Sequence, residues 1–335
     1  MKISEYGEFK LIEKITKGTI YDSQRVVVGI GDDAAAEKTS PGHLLLSTCD
    51  ALVDGVHFLF DKISPRQLGR KSIAVNLSDI AAMGGRPTSI LITLALPKDT
   101  SVSWVEDLYI GIKEMCSLYK VNIMGGDMVS STVVSINITA LGEIKPENLI
   151  RRSGACAGDA VMITGPLGDS GAGLEIIKRG LENDSYWSKL VEKHHNPIPK
   201  VLEGQFLAQF GFVTSMNDIS DGLASEIREI SEASNVGIEL WEEKIPYSSL
   251  LLEAAEKFTI SPIDMALTGG EDYQLVFTCK SDKVEELTKN FTQEFSKKIH
   301  LIGEVKPKEH DIKLKNLDGQ YKKLTTRGYN HFSSR

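Results

Sequence analysis

The stretch SPRQLGRKSIAVNLSDIAAMGG, residues 64–85, reads as one helix carrying an acid in an otherwise apolar interior. Ser64 with Gln67 three positions on is a capping-box pattern. Pro65 falls at the first helical position, where its missing N–H is an orphan in any case. Leu68, Val75 and Leu77 supply apolar faces, and Gly84 with Gly85 ends the helix ahead of Pro87. Asp79 lies three positions after Asn76 on the same face. A carboxylate buried there must protonate, find a cation or bind a metal.

The flanking segments alternate with this helix as strands. Downstream, TSILITLALP, VNIMGGD and VVSINITALGE read as strands, separated by a second helix, SWVEDLYIGIKEMCSLYK, with Ser103 and Glu106 in capping-box positions. Val134, Ile136, Ile138 and Ala140 alternate with Ser135, Asn137 and Thr139, the pattern of a sheet with one wetter face. Upstream, RVVVGI and LLLSTC are short β-rich runs, each delivering an acidic segment at its C-terminal end. The alternation stops near NLIRRSGACAGDAVMITG, where a Gly-rich loop precedes a new strand, DAVMIT. Beyond it come GPLGDSGAGLEIIKRGL, PKVLEGQFLAQFG, DISDGLASEIREISEAS, GGEDYQLVFTC and IHLIGEV, again strands mixed with helices. The expected fold class is α/β (α+β), as two layered domains over 1–149 and 150–335. A length of 335 residues favours two domains.

Composition narrows the function. At 41% apolar and 25% charged the chain is that of a soluble globular protein with ample core. No apolar run approaches the ~20 residues of a membrane span, and the N-terminus lacks a signal-peptide apolar region. Cys49, Cys116, Cys156 and Cys279 are widely spaced without a CxxC, which fits a reducing cytoplasm and neither disulfides nor thiolate zinc. A net charge of −8 argues against nonspecific nucleic-acid binding but leaves room for a phosphorylated ligand held through Mg²⁺.

One local design recurs: acids beside Gly, Ser or Ala where an element begins or ends. It appears in GIGDDAA (Asp32, Asp33), STCDALVDGVHF (Asp50, Asp54, His57), NLSDIAAMG (Asp79), IMGGDMVS (Asp127) and MNDISDGLAS (Asp218, Asp221). Small neighbours let the backbone approach a ligand, and carboxylate oxygens are the hard donors that Mg²⁺ prefers. Each motif has a plainer reading too. Ser220 or Asp221 would cap the helix GLASEIREI, and Glu271 with Asp272 would cap the turn before YQLVFT. If the acids share a site, each pair at ~4 Å and an effective dielectric of ~20 costs about 4 kcal/mol, so cations are required. Absences count as well. GPLGDSGAG is not a P-loop, and the kinase HRD and DFG sets, HExxH and GxSxG are missing. His194–His195 are expected on a solvated helix end.

Taken in order, GIGDDAA, CDALVDGVHF, AVNLSDIAAMG, GGD, RRSGACAGD, GPLGDSGAGL, DISDGLASE, GGEDYQLVF and GYNHF closely resemble thiamine-monophosphate kinase, of the aminoimidazole ribonucleotide synthetase superfamily. The match runs from Gly29 to Phe332. The resemblance implies a homodimer whose N-terminal strands pair into a shared barrel. It also implies ATP with several Mg²⁺ ions, and transfer of the γ-phosphoryl group onto thiamine monophosphate. Carried over by position, Asp33, Asp50, Asp79, Asp127, Asp218 and Asp221 resemble the metal ligands, with Thr48 and the backbone at Cys49 assisting. Gly126, Asp127, Arg152, Ser220 and Tyr109 resemble nucleotide contacts, and His57, Glu271 and the position of Thr326 resemble contacts to thiamine. Asp33, Asp50, Asp79, Asp127 and Arg152 are thereby the expected catalytic set. Two positions depart from the pattern: Cys49 where family members often carry Thr, and Thr326 where some place an aromatic. Plainer roles stay open for Arg152 as a surface residue, His57 as a core histidine and Tyr109 as helix packing. Rival readings are another ATP-using member of the superfamily, a Mg²⁺-dependent phosphohydrolase, or a non-catalytic nucleotide-binding scaffold.

Overall fold

The structure, a computed structural model, describes residues 2–6, 8–28 and 36–325. Asp32, Asp33, Thr326, Tyr329 and Phe332 therefore lie outside the described residues. The chain divides into two compact units, 1–80 with 85–147, and 81–84 with 148–335.

The N-terminal unit opens with helices α1 (Ile3–Tyr6) and α2 (Glu8–Ile15) and the short antiparallel pair β1 (Val26–Val28) and β2 (Ala36–Glu37). Then follow β3 (Leu44–Val53), α3 (Pro65–Ala82), β4 (Arg86–Leu96), α4 (Val102–Tyr119), β5 (Asn122–Ser130) and β6 (Ser135–Ile144). Four of these strands form a sheet in the order β3-β6-β4-β5, antiparallel except for the β4–β5 pair. The period-two pattern survives: Ile136, Ile138 and Ala140 are buried with Ile90, Ile92 and Leu94 on one face. Ile73, Leu77 and Ile80 of α3 are buried as well. Helices α3 and α4 cross closely because both are glycine at the contact. A Cβ on Gly69 would lie 2.1 Å from the Leu108 carbonyl oxygen, and one on Gly111 would lie 1.9 Å from that of Arg66.

Helix α3 is capped as the sequence predicts, with the Ser64 main-chain N–H donating to Gln67 Oε1 and Gln67 N–H to Ser64 Oγ, both at 3.2 Å. Helix α4 differs from expectation. Its cap is Ser101, in extended geometry, accepting from the Trp104 N–H at 3.2 Å, so Ser103 is already inside the first turn. Strand β3 also runs further than the run LLLSTC, placing Asp50 within the strand rather than in a loop after it.

The C-terminal unit continues with β7 (Ala160–Ile163), α5 (Asp169–Lys178), α6 (Ser188–His195), α7 (Val201–Phe210), β8 (Val213–Asp218), α8 (Leu223–Ser234), β9 (Gly237–Trp241), α9 (Ser249–Phe258), α10 (Pro262–Thr268), β10 (Leu275–Cys279), α11 (Val284–Phe295), β11 (His300–Lys306), β12 (Ile312–Lys315) and β13 (Tyr321–Lys323). Its seven-stranded sheet has the order β13-β12-β9-β11-β7-β10-β8, with only β12–β9 parallel. One core joins Val161, Ile163, Val276 and Ile302 of the sheet to Ile227 and Ile230 of α8. A second joins Ile176 of α5, Leu190 of α6, Trp187 and Leu251.

Candidate active site

In the N-terminal unit the acids meet where β3 faces α3. Ser72, Asn76 and Asp79, spaced i, i+4 and i+7, share one side of the helix. Alternation on β3 turns Thr48 and Asp50 to the face of buried Leu46 and Leu52, toward that helix. The Thr48 hydroxyl donates to Asp79 Oδ2 at 2.5 Å, and the Asp50 main-chain N–H donates to Asn76 Oδ1 at 3.0 Å. Asn76 is itself oriented by its amide N–H on the Ser72 carbonyl oxygen, 3.0 Å away. At these contacts a hydroxyl meets the Asp79 carboxylate and an amide oxygen meets the Asp50 main chain. The Cys49 side chain lies on the opposite, exposed face, so toward the acids it offers only its main chain.

Asp127, on β5, pairs with Thr93 and shares the face of Cys49 rather than that of Asp50. It is exposed, and its Oδ1 accepts from the Met128 N–H at 2.8 Å. Gly126 before it is required by close approach, since a Cβ there would lie 1.8 Å from the Ile92 carbonyl oxygen. His57 is half-buried, its Nδ1 accepting from the Val53 N–H at 3.1 Å, which leaves Nε2 to carry the proton of the neutral ring. Lys71, which the sequence reading passed over, is fully buried and donates to the His57 carbonyl oxygen at 3.4 Å. Tyr109 sits among the buried residues of α4, with its hydroxyl pKa raised by burial and by Cys116.

In the C-terminal unit a second acidic cluster forms where β8 ends. Asp218 is buried, and the turn after it is pinned to the GGED turn by main-chain bonds. The Glu271 N–H donates to the Ser220 carbonyl oxygen at 2.6 Å, and the Tyr273 N–H to that of Ile219 at 2.9 Å. Ser220 and Glu271, expected on different ligands, are therefore neighbours through the backbone. Gly270, Glu271 and Tyr273 all have positive φ, at 68°, 56° and 46°. For the two non-glycines that geometry costs about 1–3 kcal/mol each, the kind of strain found at ligand sites.

Helix α8 begins at Gly222 without a side-chain cap, so neither Ser220 nor Asp221 plays that role. Instead Glu226 Oε1 accepts from the Asp221 N–H at 3.1 Å. Glu226 is 2% exposed, and burial, then Asp218 and Glu229, push its pKa well above the ordinary carboxylate range. Arg152 answers part of this charge: its Nε–H donates to Asn217 Oδ1 and its Nη1 lies against Glu229, both at 3.1 Å. The sequence carried a signal for Glu226, which shares the apolar stripe of Leu223, Ile227 and Ile230.

His194 and His195 correct an expectation. Each is only 5% exposed, because α6 packs against α5 and tucks them inward. His194 Nδ1 lies 3.1 Å from both Ser170 Oγ and Glu271 Oε2. Asp272 does not cap the turn before β10. It accepts from the Gly168 and Ser170 N–H groups, at 2.7 and 3.3 Å, at the start of α5.

Among the described residues, no group of three or more His, Cys, Asp or Glu side chains is arranged to hold a metal ion, and no helix is long and apolar enough to cross a membrane. Asp50, Asp79, Asp127, Asp218 and Asp221, with the Thr48 hydroxyl, are nevertheless hard oxygen donors of the kind that Mg²⁺ takes together with phosphate oxygens and water.

Comparison with known proteins places this geometry in context. Residues 31–144 match the model of the AIR synthase related protein N-terminal domain, and residues 157–315 that of its C-terminal domain. The thiamine-monophosphate kinase of Aquifex aeolicus is 40% identical over 83% of this chain and 87% of its own. That of Bacillus subtilis is 37% identical over 97% and 99%. Among solved structures, AaThiL complexed with AMPPCP and TMP superposes with a TM-score of 0.78 at 36% identity, covering 99% of each chain. The thiamine-monophosphate kinase of Stenotrophomonas maltophilia K279a gives 0.84 at 30% identity over 94% and 98%.

Proposed function

The chain belongs to the thiamine-monophosphate kinase family, with the two-domain AIR synthase related fold, and we propose how its residues carry out that family's reaction. The activity is ATP-dependent phosphorylation of thiamine monophosphate to thiamine diphosphate. In our reading the γ-phosphoryl group passes directly, in line, to the acceptor phosphate, assisted by Mg²⁺.

The observation that carries this reading is the way the acids are held. The Thr48 hydroxyl donates to Asp79 Oδ2 and Asn76 accepts from the Asp50 main-chain N–H, which gathers Thr48, Asp50 and Asp79 as hard oxygen donors of the kind suited to cations that arrive with phosphate. In the N-terminal unit the proposed Mg²⁺ ligands are Thr48, Asp50 and Asp79, with Asp127 on the other face of the sheet, and in the C-terminal unit they are Asp218 and Asp221. Asp33 joins them by position, and Cys49 by its main-chain oxygen. Bound Mg²⁺ would offset the repulsion between two polyanions. Gly126 lets the backbone approach the nucleotide, and Arg152 and Ser220 contact it, Arg152 by charge-assisted hydrogen bonds. Tyr109 then supports the site from within the core of α4. His57 and Glu271 face thiamine, where a carboxylate suits the cationic thiazolium or the aminopyrimidine; Thr326 belongs to the same group by position.

A phosphate monoester is already anionic near neutral pH, so its attack needs no general base. Positioning and electrostatics supply the rate. The pH–rate profile is accordingly expected to stay flat through the range in which a histidine titrates. An activity loss tracking His57, abolished by His57→Gln at unchanged substrate affinity, would establish a base instead.

We place the enzyme in the cytoplasm, acting as a homodimer without nucleic-acid or membrane partners. The dimer is supported by the uncovered face of the N-terminal sheet, where Leu45, Leu91 and Val129 are 53%, 38% and 44% exposed. Pairing of those sheets across a two-fold into a barrel would cover them, and light scattering tests the mass. The deciding experiment is product analysis with ATP, Mg²⁺ and thiamine monophosphate, beside thiamine and an EDTA control. Thiamine diphosphate and ADP in equal amounts are expected, and ATP turnover independent of thiamine monophosphate would overturn the assignment.

A further inference from the structure

A cavity of about 540 Å³ opens within the C-terminal unit, between α5, α6 and the segment leading into α7. Its charged lining comprises Lys189, Lys193 and Lys200 with Asp169, Glu192 and Asp272. Its size suits a small organic ligand. None of these lysines takes part in the proposed phosphoryl transfer.

The lysines are the informative side. Lys189 and Lys193 stand i, i+4 on α6 and so present their ammonium groups along one line, while Lys200 enters from the next segment. Among the described residues, none of the three makes a hydrogen bond or an ion pair. Lys200 is crowded by protein, and burial lowers its pKa to about 8. The Glu203 charge opposes that shift, while Lys297 and Lys193 reinforce it. Glu203 is itself engaged by Lys297 at 2.9 Å. An ammonium whose counter-charge, Glu203, is shared with Lys297 keeps a desolvation cost that an arriving anion offsets. Lys200 also directly precedes α7, whose first turn has no side-chain cap, so the helix end adds positive potential there.

The buried acids offset part of this charge through Lys193, and both also accept hydrogen bonds from neutral groups. Asp272 accepts from the Gly168 and Ser170 N–H groups, and Asp169 accepts from the Ser248 hydroxyl at 2.6 Å. Burial raises both carboxyl pKa values, that of Asp272 to about 7, which further weakens their hold on the lysines.

We propose that this cavity is a binding site for a small phosphate- or diphosphate-bearing molecule, with Lys189, Lys193 and Lys200 holding the phosphate and the Asp169–Asp272 wall receiving hydrogen-bond donors of its organic part. Three point charges around one pocket fit a multiply charged phosphate better than a single carboxylate. The proposal rests on the kinase reading only in that thiamine monophosphate and thiamine diphosphate belong to this ligand class.

The test is titration of the full chain with inorganic pyrophosphate in excess EDTA, which removes any metal-dependent phosphate site, followed by calorimetry and thermal shift. Saturable binding is expected. Lys200→Met weakens it about tenfold or more, Lys200→Arg retains it, and Asp79→Asn leaves it unchanged. Should Lys200→Met fail to fold, the double variant Lys189→Gln/Lys193→Gln gives the same readout from exposed positions. Absence of saturable binding to the wild type overturns the proposal, as does equal affinity in a natively folded Lys200→Met. Loss of binding in Asp79→Asn overturns it too, by moving the phosphate to the acids of the N-terminal unit. Tighter binding of thiamine diphosphate than of pyrophosphate supports the role of the acidic wall. Thiamine binding more tightly than either would overturn the phosphate assignment. Failure of the kinase reading would show separately, as absence of thiamine diphosphate in the product assay.

Discussion

Glu143, 4% exposed at the end of β6, and Glu226, 2% exposed on α8, are equally buried glutamates in opposite surroundings. Burial pushes the Glu143 pKa up, but the Ser40 hydroxyl and N–H, Arg86 and Arg25 outweigh it and hold the carboxyl at about 2. Arg25 lies 2.9 Å from it and is itself buried. Burial pushes the Glu226 pKa up as well, and Asp218, Glu229 and Asp221 around it push it further in the same direction. Where this chain uses a buried charge to hold strands together, it supplies arginines. Where it gathers acids for a ligand, the contacts include hydroxyls, amides, main-chain N–H groups and, at Glu229, the Arg152 guanidinium. Asp79, held by Thr48, belongs to the second kind. The distinction predicts that the two kinds of acid fail differently when neutralised.

The largest separation is expected between Asp79 and Glu143. Asp79→Asn should lower kcat by about 10²–10³-fold while leaving the urea midpoint near wild type, because the amide oxygen still accepts from the Thr48 hydroxyl. Near-wild-type turnover in that variant would break the comparison on its ligand side. Glu143→Gln should do the reverse, destabilising the fold by about 3–5 kcal/mol with Arg25 and Arg86 left facing a neutral amide. The wild-type pH dependence follows in sign. A carboxyl depressed to about 2 stabilises fully above its unfolded value, and that contribution is lost as pH falls from about 5 toward 2. Acid unfolding insensitive to Glu143→Gln would break the structural side.

A smaller effect, opposite in sign, is expected at Glu226. Its raised pKa means that whatever stability the protonated form contributes is present below the unfolded value and lost as pH rises through the folded one. Glu226→Gln keeps the neutral form at all pH values. Without metal or nucleotide it should therefore be more stable than wild type at pH 8, by about 1 kcal/mol or more, and the gain should vanish near pH 4. Chemical denaturation at the two pH values decides it, and equal stability at pH 8 would show that the neighbouring acids do not press on Glu226.

How much of this was legible in the sequence depends on whether the signal was local. The Ser64–Gln67 box on α3 and the alternation of β6 need only neighbours along the chain, and both appear as read. Ser101 won the cap of α4 over Ser103 by one turn geometry that composition does not distinguish. The grouping of Thr48, Asp50, Asn76 and Asp79 was legible only as a list of residue types. Their meeting depends on β3 extending through Asp50 and on the register that turns it toward α3. His194, Glu226, Lys71 and Lys200 were missed because each owes its character to burial supplied by distant segments.

His194 offers the finest resolution of the contrast, since it is a neutral-to-cationic group placed beside a ligand-facing acid rather than a structural one. Glu271 sits at φ 56° in a turn anchored through Ser220, so its backbone is fixed, but its side chain is steered by His194 Nδ1 at 3.1 Å. An imidazole whose Nδ1 faces a carboxylate oxygen carries its proton there and donates to it. His194→Phe keeps the bulk within the α5–α6 packing and removes that donor. If Glu271 recognises the thiamine ring system, the variant should raise KM for thiamine monophosphate by about tenfold, with KM for ATP unchanged and kcat reduced less. His194→Gln, which can restore a donor, should recover part of the loss. Equal losses in both KM values, or a fall in thermal stability that tracks the activity, would reassign His194 to the structural side with Glu143.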